Sequence, residues 1–435
     1  MKIISTYEGF FEEELKRIRD REEYIDQSIK NVVEEIVRDV ATRGDAALFE
    51  YTEKFEGVSL NTRTVEVSKD EIESAVRNLD GADYKILELA AGRIETFHQK
   101  QRISSRIDSD EDGIYLGQMV RPLNRVGIYA PGGLASYPST VLMAAIPAKV
   151  AGVNETILVT PSKDGKINPL TLAAAQLAGV DKIFRMGGAQ AVAALAYGTE
   201  SIPPVDKIVG PGNVYVATAK MMVYGKVGID MIAGPSEIVI ITDGTVSPEI
   251  VAADLLSQAE HDEMASAILL TPDREFAMKV SLEVQSQLKN LERKSIAAKA
   301  MKDFGAAVIT RDVNEAIDIA NGFAPEHLEL LVEKPWELLD KIKNAGAVFL
   351  GYNTPEAMGD YIAGPNHILP TGGTARFSSP LGVYDFVKRT SVISFSDKSL
   401  KKYGDKVARF AELEGLDAHG KSVMIRLKKT LDKTI

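Results

Sequence analysis

Glu326 and His327 have the residue types that general acid–base catalysis needs. They stand in residues 324–330 (APEHLEL), where Pro325 favours extended backbone at Ala324 and a predicted helix gives way to a predicted strand. Adjacent side chains of an extended chain face opposite ways, so the carboxylate and the imidazole could reach two different protons of one substrate. Such a pair is also common on plain exposed surface, and by itself it leaves both interpretations open.

Gln258 and His261 could bind a metal ion. They are three residues apart on a predicted helix and project from one face, with Asp254 one turn earlier. A carboxamide oxygen and an imidazole nitrogen are suitable metal ligands. The solvated polar face of a surface helix would show the same pattern.

The other histidines differ in their surroundings. His367 follows Asp360 in a loop too rich in polar and turn-forming residues to be core. His419 begins the last predicted helix after Asp417, where it could simply be the neighbour of a helix cap. His98 stands among charged residues on a long polar helix face, and we predict that it is solvated.

Glycine clusters follow several predicted strands. They are Gly132-Gly133, Gly187-Gly188, Gly210-Pro211-Gly212, Gly234-Pro235 and Gly364-Pro365. Free backbone N–H groups at a strand-to-helix turn suit an anion such as a pyrophosphate. The dinucleotide fingerprint G-x-G-x-x-G is absent, however, and glycine is also ordinary turn chemistry.

The composition excludes several chemistries and partners. The 435 residues contain no cysteine, which rules out thiol nucleophiles, iron–sulfur clusters and thiolate zinc sites. The net charge of −11 argues against nucleic acid or an anionic membrane as the main partner. No apolar run is long enough to span a membrane, and the acidic start of the chain fits no secretory signal, so we expect a cytoplasmic protein.

Two regions with different sequence patterns predict the secondary structure that positions these residues. The first hundred residues are mostly helical, whereas short β-branched runs alternate with alanine-rich helices after Gly113. This alternation is typical of βαβ units, and its resumption at residue 237 favours two α/β sheets, one inserted within the other. Two predicted helices close the chain after residue 378.

Seven separated motifs together resemble one family, the histidinol dehydrogenases, in the family's order and spacing. They are residues 127–133 (GIYAPGG), 210–213 (GPGN), 233–237 (AGPSE), 254–261 (DLLSQAEH), 324–327 (APEH), 359–367 (GDYIAGPNH) and 414–419 (EGLDAH). The resemblance extends along almost the whole chain.

The resemblance implies an NAD-dependent, zinc-containing enzyme that oxidises L-histidinol through L-histidinaldehyde to L-histidine, the last two steps of histidine biosynthesis. It implies Glu326 as the base that activates water and His327 as the acid/base. The implied ligands of one zinc ion per subunit are Gln258, His261, Asp360 and His419. The implied substrate-binding residues are Ser236, Gln258, His261, His327, Glu356, Asp360, His367, Glu414 and His419. The implied NAD contacts are Tyr129, Gln190 and Asn213, with two NAD consumed per turnover.

The resemblance also implies an α/β fold of two incomplete Rossmann-like parallel-sheet domains, with small helical N- and C-terminal elements, assembled as an intertwined homodimer. We expect an N-terminal helical arm (1–25), a first domain (26–128 and 237–380), an inserted second domain (129–236) and a C-terminal dimerisation segment (381–435). That segment would carry Glu414 and His419 into the partner's active site.

The absence of cysteine agrees with this chemistry. Oxidising an alcohol to an acid removes two hydrides, and the aldehyde must gain an oxygen nucleophile before the second can leave. Without a cysteine, addition of water is the remaining route, and it needs a carboxylate base such as Glu326. Two alternatives stay open: a zinc hydrolase that uses the same carboxylate, and a non-enzymatic nucleotide-binding module built on the glycine turns.

Overall fold

The computed structural model describes residues 1–9, 11–21, 27–132 and 136–432. The chain divides into two compact units, Met1–Gln101 with Leu123–Phe386, and Arg102–Pro122 with Val387–Ile435. Gly133 of the first motif and residues 10 and 22–25 of the expected N-terminal arm lie outside the described residues.

Strands and helices alternate through most of the first unit. The strands are β1 Lys2–Ser5, β2 Arg106–Ser109, β3 Tyr115–Pro122, β4 Arg125–Tyr129, β5 Glu155–Thr160, β6 Lys182–Arg185, β7 Lys207–Val209, β8 Gly228–Ile229, β9 Glu237–Thr242, β10 Ser266–Thr271, β11 Gly305–Ile309, β12 His327–Leu331, β13 Ala347–Leu350 and β14 Val387–Ser394. The helices are α1 Phe11–Arg19, α2 Gln27–Arg43, α3 Asp45–Glu56, α4 Lys69–Arg77, α5 Gly81–Gln99, α6 Pro138–Ala151, α7 Pro169–Leu177, α8 Gly188–Tyr197, α9 Val214–Val223, α10 Pro248–Ala259, α11 Arg274–Gln287, α12 Lys294–Asp303, α13 Val313–Phe323, α14 Glu356–Met358, α15 Asp397–Leu413 and α16 Asp417–Asp432.

A six-stranded parallel sheet has the order β1-β11-β10-β9-β12-β13. Its central strands β9 (EIVIIT) and β12 (HLELL) are buried at every residue. Such near-continuous apolar runs are expected where helices cover both faces of a parallel sheet. Ile238 packs with Val251 of α10 on one face, and Val239 packs with Ile317 of α13 on the other.

A second parallel sheet has five strands in the order β6-β5-β4-β7-β8. Helices α5, α6 and α7 contribute to the core on one face, and α2, α3 and α8 contribute to the core on the other. We expected residues 26–128 to join residues 237–380 in one domain. In the structure, the apolar faces of α2, α3 and α5 pack on the five-stranded sheet.

The predicted α/β class with two parallel sheets is confirmed. The expected N-terminal arm is not purely helical, because β1 pairs with β11 at the edge of the six-stranded sheet. Among the described residues, no helix has both the length and the apolar character needed to cross a bilayer.

The second unit combines an antiparallel sheet, β14-β3-β2, with the packed pair of helices α15 and α16. The expected C-terminal segment over 381–435 starts later, at Val387, and residues 102–122 join it. The reason is a long antiparallel ladder between β14 and β3, in which Val387 pairs with Pro122 at one end and Ser394 pairs with Tyr115 at the other.

His98 is fully buried, so the prediction that it is solvated is wrong. Its Nδ1 lies 2.8 Å from the carbonyl oxygen of Ile94, and its ring meets Phe97 edge-on. Ile94 stands four residues earlier on the face of α5 that packs against the five-stranded sheet. The charged neighbours in the sequence occupy the other faces of this helix.

Candidate active site

Glu326 and His327 lie at the amino end of β12, beside Glu237 at the amino end of β9. The two strands are parallel neighbours, with His327 paired to Ile238. Helix α10 connects β9 to the parallel strand β10, so its carboxyl end, with Gln258, returns to the same edge. Ligands of open α/β sheets usually bind at the carboxyl ends of the strands, and this cluster occupies the opposite edge.

A residue in the left-handed conformation turns the chain from α13 toward β12. Ala324 has φ 53°, and its N–H donates to the carbonyl of Ala320 at 2.8 Å. Positive φ is strained for a residue with a Cβ, and such strain is often found at functional sites. Because Glu326 precedes the strand, its Oε2 comes within 3.6 Å of Nδ1 of His327. The prediction that these two side chains face opposite ways is therefore wrong.

Glu237 forms three contacts with this pair. Its N–H donates to Oε2 of Glu326 at 2.9 Å, and its Oε2 accepts the N–H of Glu326 at 3.3 Å. Its carbonyl oxygen lies 3.0 Å from Nδ1 of His327. A carbonyl can only accept, so Nδ1 carries a proton. Nε2 of His327 is buried and has no hydrogen-bond partner among the described residues, so it is the ring atom left for proton exchange.

Carboxylates surround the His327 ring. Oε1 of Glu356 is 3.5 Å from Nδ1, and Oδ1 of Asp360 is 3.8 Å from Nε2. Burial opposes a charge on this imidazole, but Glu356 and Glu326 together raise the pKa of His327 well above its usual value. These carboxylates therefore stabilise the protonated form of the ring.

Burial also shifts two of these carboxyl groups. It raises the pKa of Glu326 to about 7 and the pKa of Glu356 to about 8. A carboxyl group with a pKa near the working pH is an effective general base, because both of its protonation states are accessible. Glu356 is mostly protonated at neutral pH and can donate a hydrogen bond as well as accept one.

Gln258, His261 and Asp360 fit the chemistry of a zinc site. When the Gln258 carboxamide turns its oxygen toward His261, it presents an oxygen ligand there, and its nitrogen lies 2.6 Å from Oε1 of Glu356. Burial lowers the pKa of His261 and keeps its ring neutral. Burial opposes the charge on Asp360, but its interaction with the nearby His327 ring and the charges of the neighbouring histidines lower its pKa. A neutral imidazole and an ionised carboxylate are the forms that bind zinc.

A second group of potential ligands overlaps the first. His327, Glu356 and Asp360 place ligand atoms within 4.8 Å of one another. Nδ1 of His327 already donates to Glu237, and a pKa of about 8 leaves Glu356 mostly protonated at neutral pH. These protonation states favour the group that contains Gln258 and His261.

His367 connects this edge with the five-stranded sheet. Its Nδ1 lies 2.9 Å from the carbonyl oxygen of Asp360, and its Nε2 lies 3.4 Å from Oγ1 of Thr140. Thr140 is in the first turn of α6, which follows the carboxyl end of β4. The amino edge of one sheet therefore meets the carboxyl edge of the other at His367.

The remaining predicted substrate residues lie in two places. Ser236 directly precedes Glu237 at the amino edge and is half-buried. Glu414 and His419 belong to the second unit, where Glu414 ends α15 and His419 lies in the first turn of α16. Both side chains are exposed.

The residues predicted to contact NAD lie at the carboxyl edge of the five-stranded sheet. Tyr129 ends β4, and its hydroxyl accepts the N–H of Gly188 at 3.1 Å. Gln190, in the first turn of α8, donates to Oε1 of Glu56 at 3.3 Å. Tyr129 and Gln190 are buried, whereas Asn213 is exposed and caps α9 with its side-chain oxygen. Of the three side chains, only Asn213 is open to solvent.

Three further acids are buried: Glu237, Glu329 and Asp254. The sequence motifs indicate no role for Glu237 or Glu329, and they indicate Asp254 only as part of a polar helix face. Oε1 of Glu329 accepts the N–H of Glu356 at 2.8 Å, and burial raises the pKa of Glu329 well above its usual value. Asp254 is also buried, and its pKa is raised to about 6. Glu237 and Glu329 each interrupt an otherwise apolar strand. A carboxylate in a fully buried strand is the signal that could have identified both.

The family profile described as histidinol dehydrogenase matches residues 19–427. The chain belongs to the histidinol dehydrogenase family. It is 55% identical over 428 residues to the histidinol dehydrogenase of Syntrophotalea carbinolica, covering 98% of this chain and 99% of that protein. It is 54% identical over 429 residues to that of Geobacter sulfurreducens, covering 98% and 100%.

A solved structure shows the same fold. The crystal structure of histidinol dehydrogenase from Elizabethkingia anophelis matches with a TM-score of 0.92 at 39% identity, covering 99% of this chain and 98% of that one. The prediction of an oxidoreductase of the histidinol dehydrogenase family is therefore confirmed. The amino-edge cluster, Glu414 and His419 all fall inside the matched range.

Proposed function

We propose that this member of the histidinol dehydrogenase family oxidises L-histidinol to L-histidine in two NAD-dependent steps, through L-histidinaldehyde. The observation that supports this most strongly is the buried pair at the amino edge. Oε2 of Glu326 lies 3.6 Å from Nδ1 of His327, and the same residue, Glu237, holds both side chains. One carboxylate and one imidazole are the groups that an alcohol oxidation followed by hydration needs.

In the first oxidation, Nε2 of His327 accepts the hydroxyl proton of the alcohol while the carbon loses a hydride. The hydrogen bond from Nδ1 to the Glu237 carbonyl keeps the ring in the tautomer whose Nε2 has a free lone pair. The nearby carboxylates stabilise the imidazolium that results. The proton stays on Nε2 until the aldehyde is hydrated.

In the second oxidation, Glu326 acts first. Its carboxylate removes a proton from a water molecule as the oxygen adds to the aldehyde carbon. The protonated Nε2 of His327 returns its proton to the carbonyl oxygen, which gives a gem-diol. Nε2 of His327 then accepts a hydroxyl proton of the diol while the second hydride leaves, and L-histidine results. Each step moves one hydride and one proton, so two NAD are reduced for each L-histidinol.

NAD would supply the hydride acceptor for both steps, bound at the carboxyl edge of the five-stranded sheet. Asn213 is exposed there and can contact it directly. Tyr129 and Gln190 would form the wall behind the turn at Gly188. This edge meets the amino-edge cluster at Thr140 and His367, which supports hydride transfer between the two.

One zinc ion per subunit would fit Gln258, His261, Asp360 and His419, where its role would be to hold the substrate in place. Glu356, His367, Ser236 and Glu414 would contact the substrate around it. Their hydrogen-bonding groups, of which the Glu356 carboxyl is buried, suit a small, polar, nitrogen-rich substrate.

We include a homodimer with shared active sites in this proposal, in which Glu414 and His419 act in the site of the partner. Exposed apolar side chains in and beside α15 and α16 support a partner surface there. They are Val407, Phe410, Leu413, Leu416, Met424 and Ile425. Contiguous exposed apolar side chains commonly mark a protein contact. A cytoplasmic location and the absence of a nucleic-acid partner remain part of the proposal.

The assay that tests this function adds L-histidinol and NAD to the purified protein and measures NADH and L-histidine together. We expect L-histidine to form with NADH. A zinc hydrolase would form no NADH, and a nucleotide-binding module would keep all its function after the metal is removed. Either result would overturn the proposal.

A further inference from the structure

We propose that Glu237, held in place by Arg21, is the positioning residue that sets the geometry of Glu326 and His327. This inference rests on the proposed function, because it assigns Glu237 an effect on the two residues that move protons. Glu237 touches no reacting atom; it acts through its contacts with its two neighbours.

The contacts are reciprocal. The backbone N–H of Glu237 holds the Glu326 carboxylate at 2.9 Å, and the Glu237 carboxylate accepts the Glu326 N–H at 3.3 Å. The carbonyl of Glu237 fixes the ring of His327 at 3.0 Å. The backbone of Glu237 therefore orients both functional groups, while its side chain fixes the backbone that carries them. A change at this one side chain shifts both groups at once.

Arg21 fixes the carboxylate from the other side. Its Nη1 donates to Oε1 of Glu237 at 3.1 Å, and both side chains are almost completely buried. The guanidinium also donates to the carbonyls of Ile18 at 2.8 Å, Met264 at 2.8 Å and Pro235 at 3.0 Å. With the carbonyl of Ser236 at 3.5 Å, five oxygen acceptors satisfy this buried cation. Pro235, Ser236 and Glu237 belong to the same motif, so one guanidinium contacts that segment at three residues.

Stability alone does not account for such a pair. Replacing a buried ion pair by apolar residues of similar volume is often neutral or stabilising, because burying two charges is costly. Neighbouring strands of the same sheet also start without a carboxylate: β10 begins at Ser266 and β11 at Gly305. The fold of this sheet does not need an acid at the start of a strand. The acid stands on the strand beside Glu326 and His327.

The first variant is Glu237→Gln, which keeps the size of the side chain and removes its charge. We expect kcat for L-histidinol to fall about 10- to 100-fold, because small displacements of reacting groups are costly. KM for L-histidinol and for NAD should change by less than about twofold, because no substrate-binding group is altered. The loss should appear both with L-histidinol and with L-histidinaldehyde, because both functional groups are displaced.

The matched control is Asp45→Asn, the same change of carboxyl to amide at another buried acid. Asp45 accepts hydrogen bonds from the N–H and the hydroxyl of Ser201, at the start of α3 on the five-stranded sheet. Its thermal unfolding is measured beside that of Glu237→Gln. A general loss of stability would lower the melting temperature of both variants, but only Glu237→Gln should lower kcat.

A double variant, Glu237→Gln with Glu326→Gln, distinguishes positioning from a separate structural role. Because part of the effect of Glu237 acts through Glu326, the double variant should lose less activity toward L-histidinaldehyde than the product of the two single losses. Losses that multiply would overturn the proposal.

The charge-neutral double variant Arg21→Met with Glu237→Gln is a second test if the single variant Glu237→Gln does not fold. It should show the same loss of kcat at unchanged KM.

The outcomes separate this proposal from the proposed function. Wild-type protein that forms no NADH from L-histidinol overturns both. Wild-type protein that turns over L-histidinol while Glu237→Gln keeps its full kcat overturns the positioning role alone.

Discussion

Nδ1 of His327 donates to the carbonyl oxygen of Glu237 across 3.0 Å, and this bond leaves Nε2 as the ring nitrogen that is free to exchange a proton. The acceptor belongs to the neighbouring parallel strand, so the tautomer of His327 depends on the pairing of β12 with β9. Sheet register and proton chemistry are therefore linked at one residue.

His327→Ala should slow both oxidations by about 10²- to 10⁴-fold, the usual range for a lost acid–base group. The physical reason is that Nε2 accepts a proton in each step. Rates measured separately with L-histidinol and with L-histidinaldehyde test this. A variant that oxidises L-histidinol at the wild-type rate would contradict the assignment.

The pH dependence of aldehyde oxidation should show the titration of Glu326. Burial raises the pKa of this carboxyl to about 7, and the base works only when it is deprotonated. Activity should therefore be full above pH 7 and fall as the pH decreases through that value. A profile of kcat/KM on L-histidinaldehyde measures it. An acid limb near pH 4.5, the ordinary value for glutamic acid, would show that burial does not tune this group.

Removing zinc should abolish turnover, and adding zinc back should restore it. His261→Ala should weaken zinc binding more than about 10-fold, because a neutral buried ligand is lost. Elemental analysis of the dialysed protein reports the metal directly, without an activity assay. His98→Leu is the control, since His98 lies on α5 and contacts Ile94 and Phe97. Equal zinc content in His261→Ala and in wild type would exclude His261 as a ligand.

His98 should make the protein less stable at acid pH. Burial lowers the pKa of this imidazole in the folded state, so the unfolded chain binds a proton near pH 6.5 that the folded chain does not. The contribution of neutral His98 to the free energy of unfolding is therefore complete above about pH 6.5. It is lost as the pH decreases below this value, by up to about 1.4 kcal/mol per pH unit. Urea unfolding at pH 7.5 and 5.5 measures the difference. His98→Leu should lose less stability between these pH values than wild type, and equal losses would contradict the account.

Two inactive chains should restore activity together if the sites are shared. His419→Ala removes a group that would act in the partner's site, and Glu326→Gln removes one from the chain's own site. Heterodimers of the two variants would contain one intact site, so we expect partial recovery of NADH formation after subunit exchange. If mass spectrometry shows that the subunits have exchanged and NADH formation does not return, the active sites are not shared.

Much of the fold was predictable because periodicity depends on local sequence. The apolar runs at β9 and β12 predicted buried parallel strands, and both strands are present. His98 was misplaced because charged neighbours do not show which helix face a residue occupies. The packing of α2 and α3 on the five-stranded sheet was not predictable, because nothing local in these helices indicates which sheet covers their apolar faces.

The candidate site was only partly accessible from sequence. Gln258, Asp360 and His367 were identified through motifs, and the fold brings them to the edge where Glu326 and His327 lie. Glu237 lies in the motif at residues 233–237, but the motif alone indicated no role for it. Its contacts are with Glu326 and His327, about ninety positions away in the sequence. Such contacts arise from strand pairing, which the motif itself does not encode.

The number of NADH formed per L-histidinol by wild type and by Glu326→Gln tests the central claim most directly. The claim is that Glu326 activates the water needed for the second oxidation. We expect two NADH per L-histidinol from wild type. Glu326→Gln should form one NADH rapidly and release L-histidinaldehyde, because its amide cannot act as a base. Two NADH from Glu326→Gln at the wild-type rate would contradict the claim.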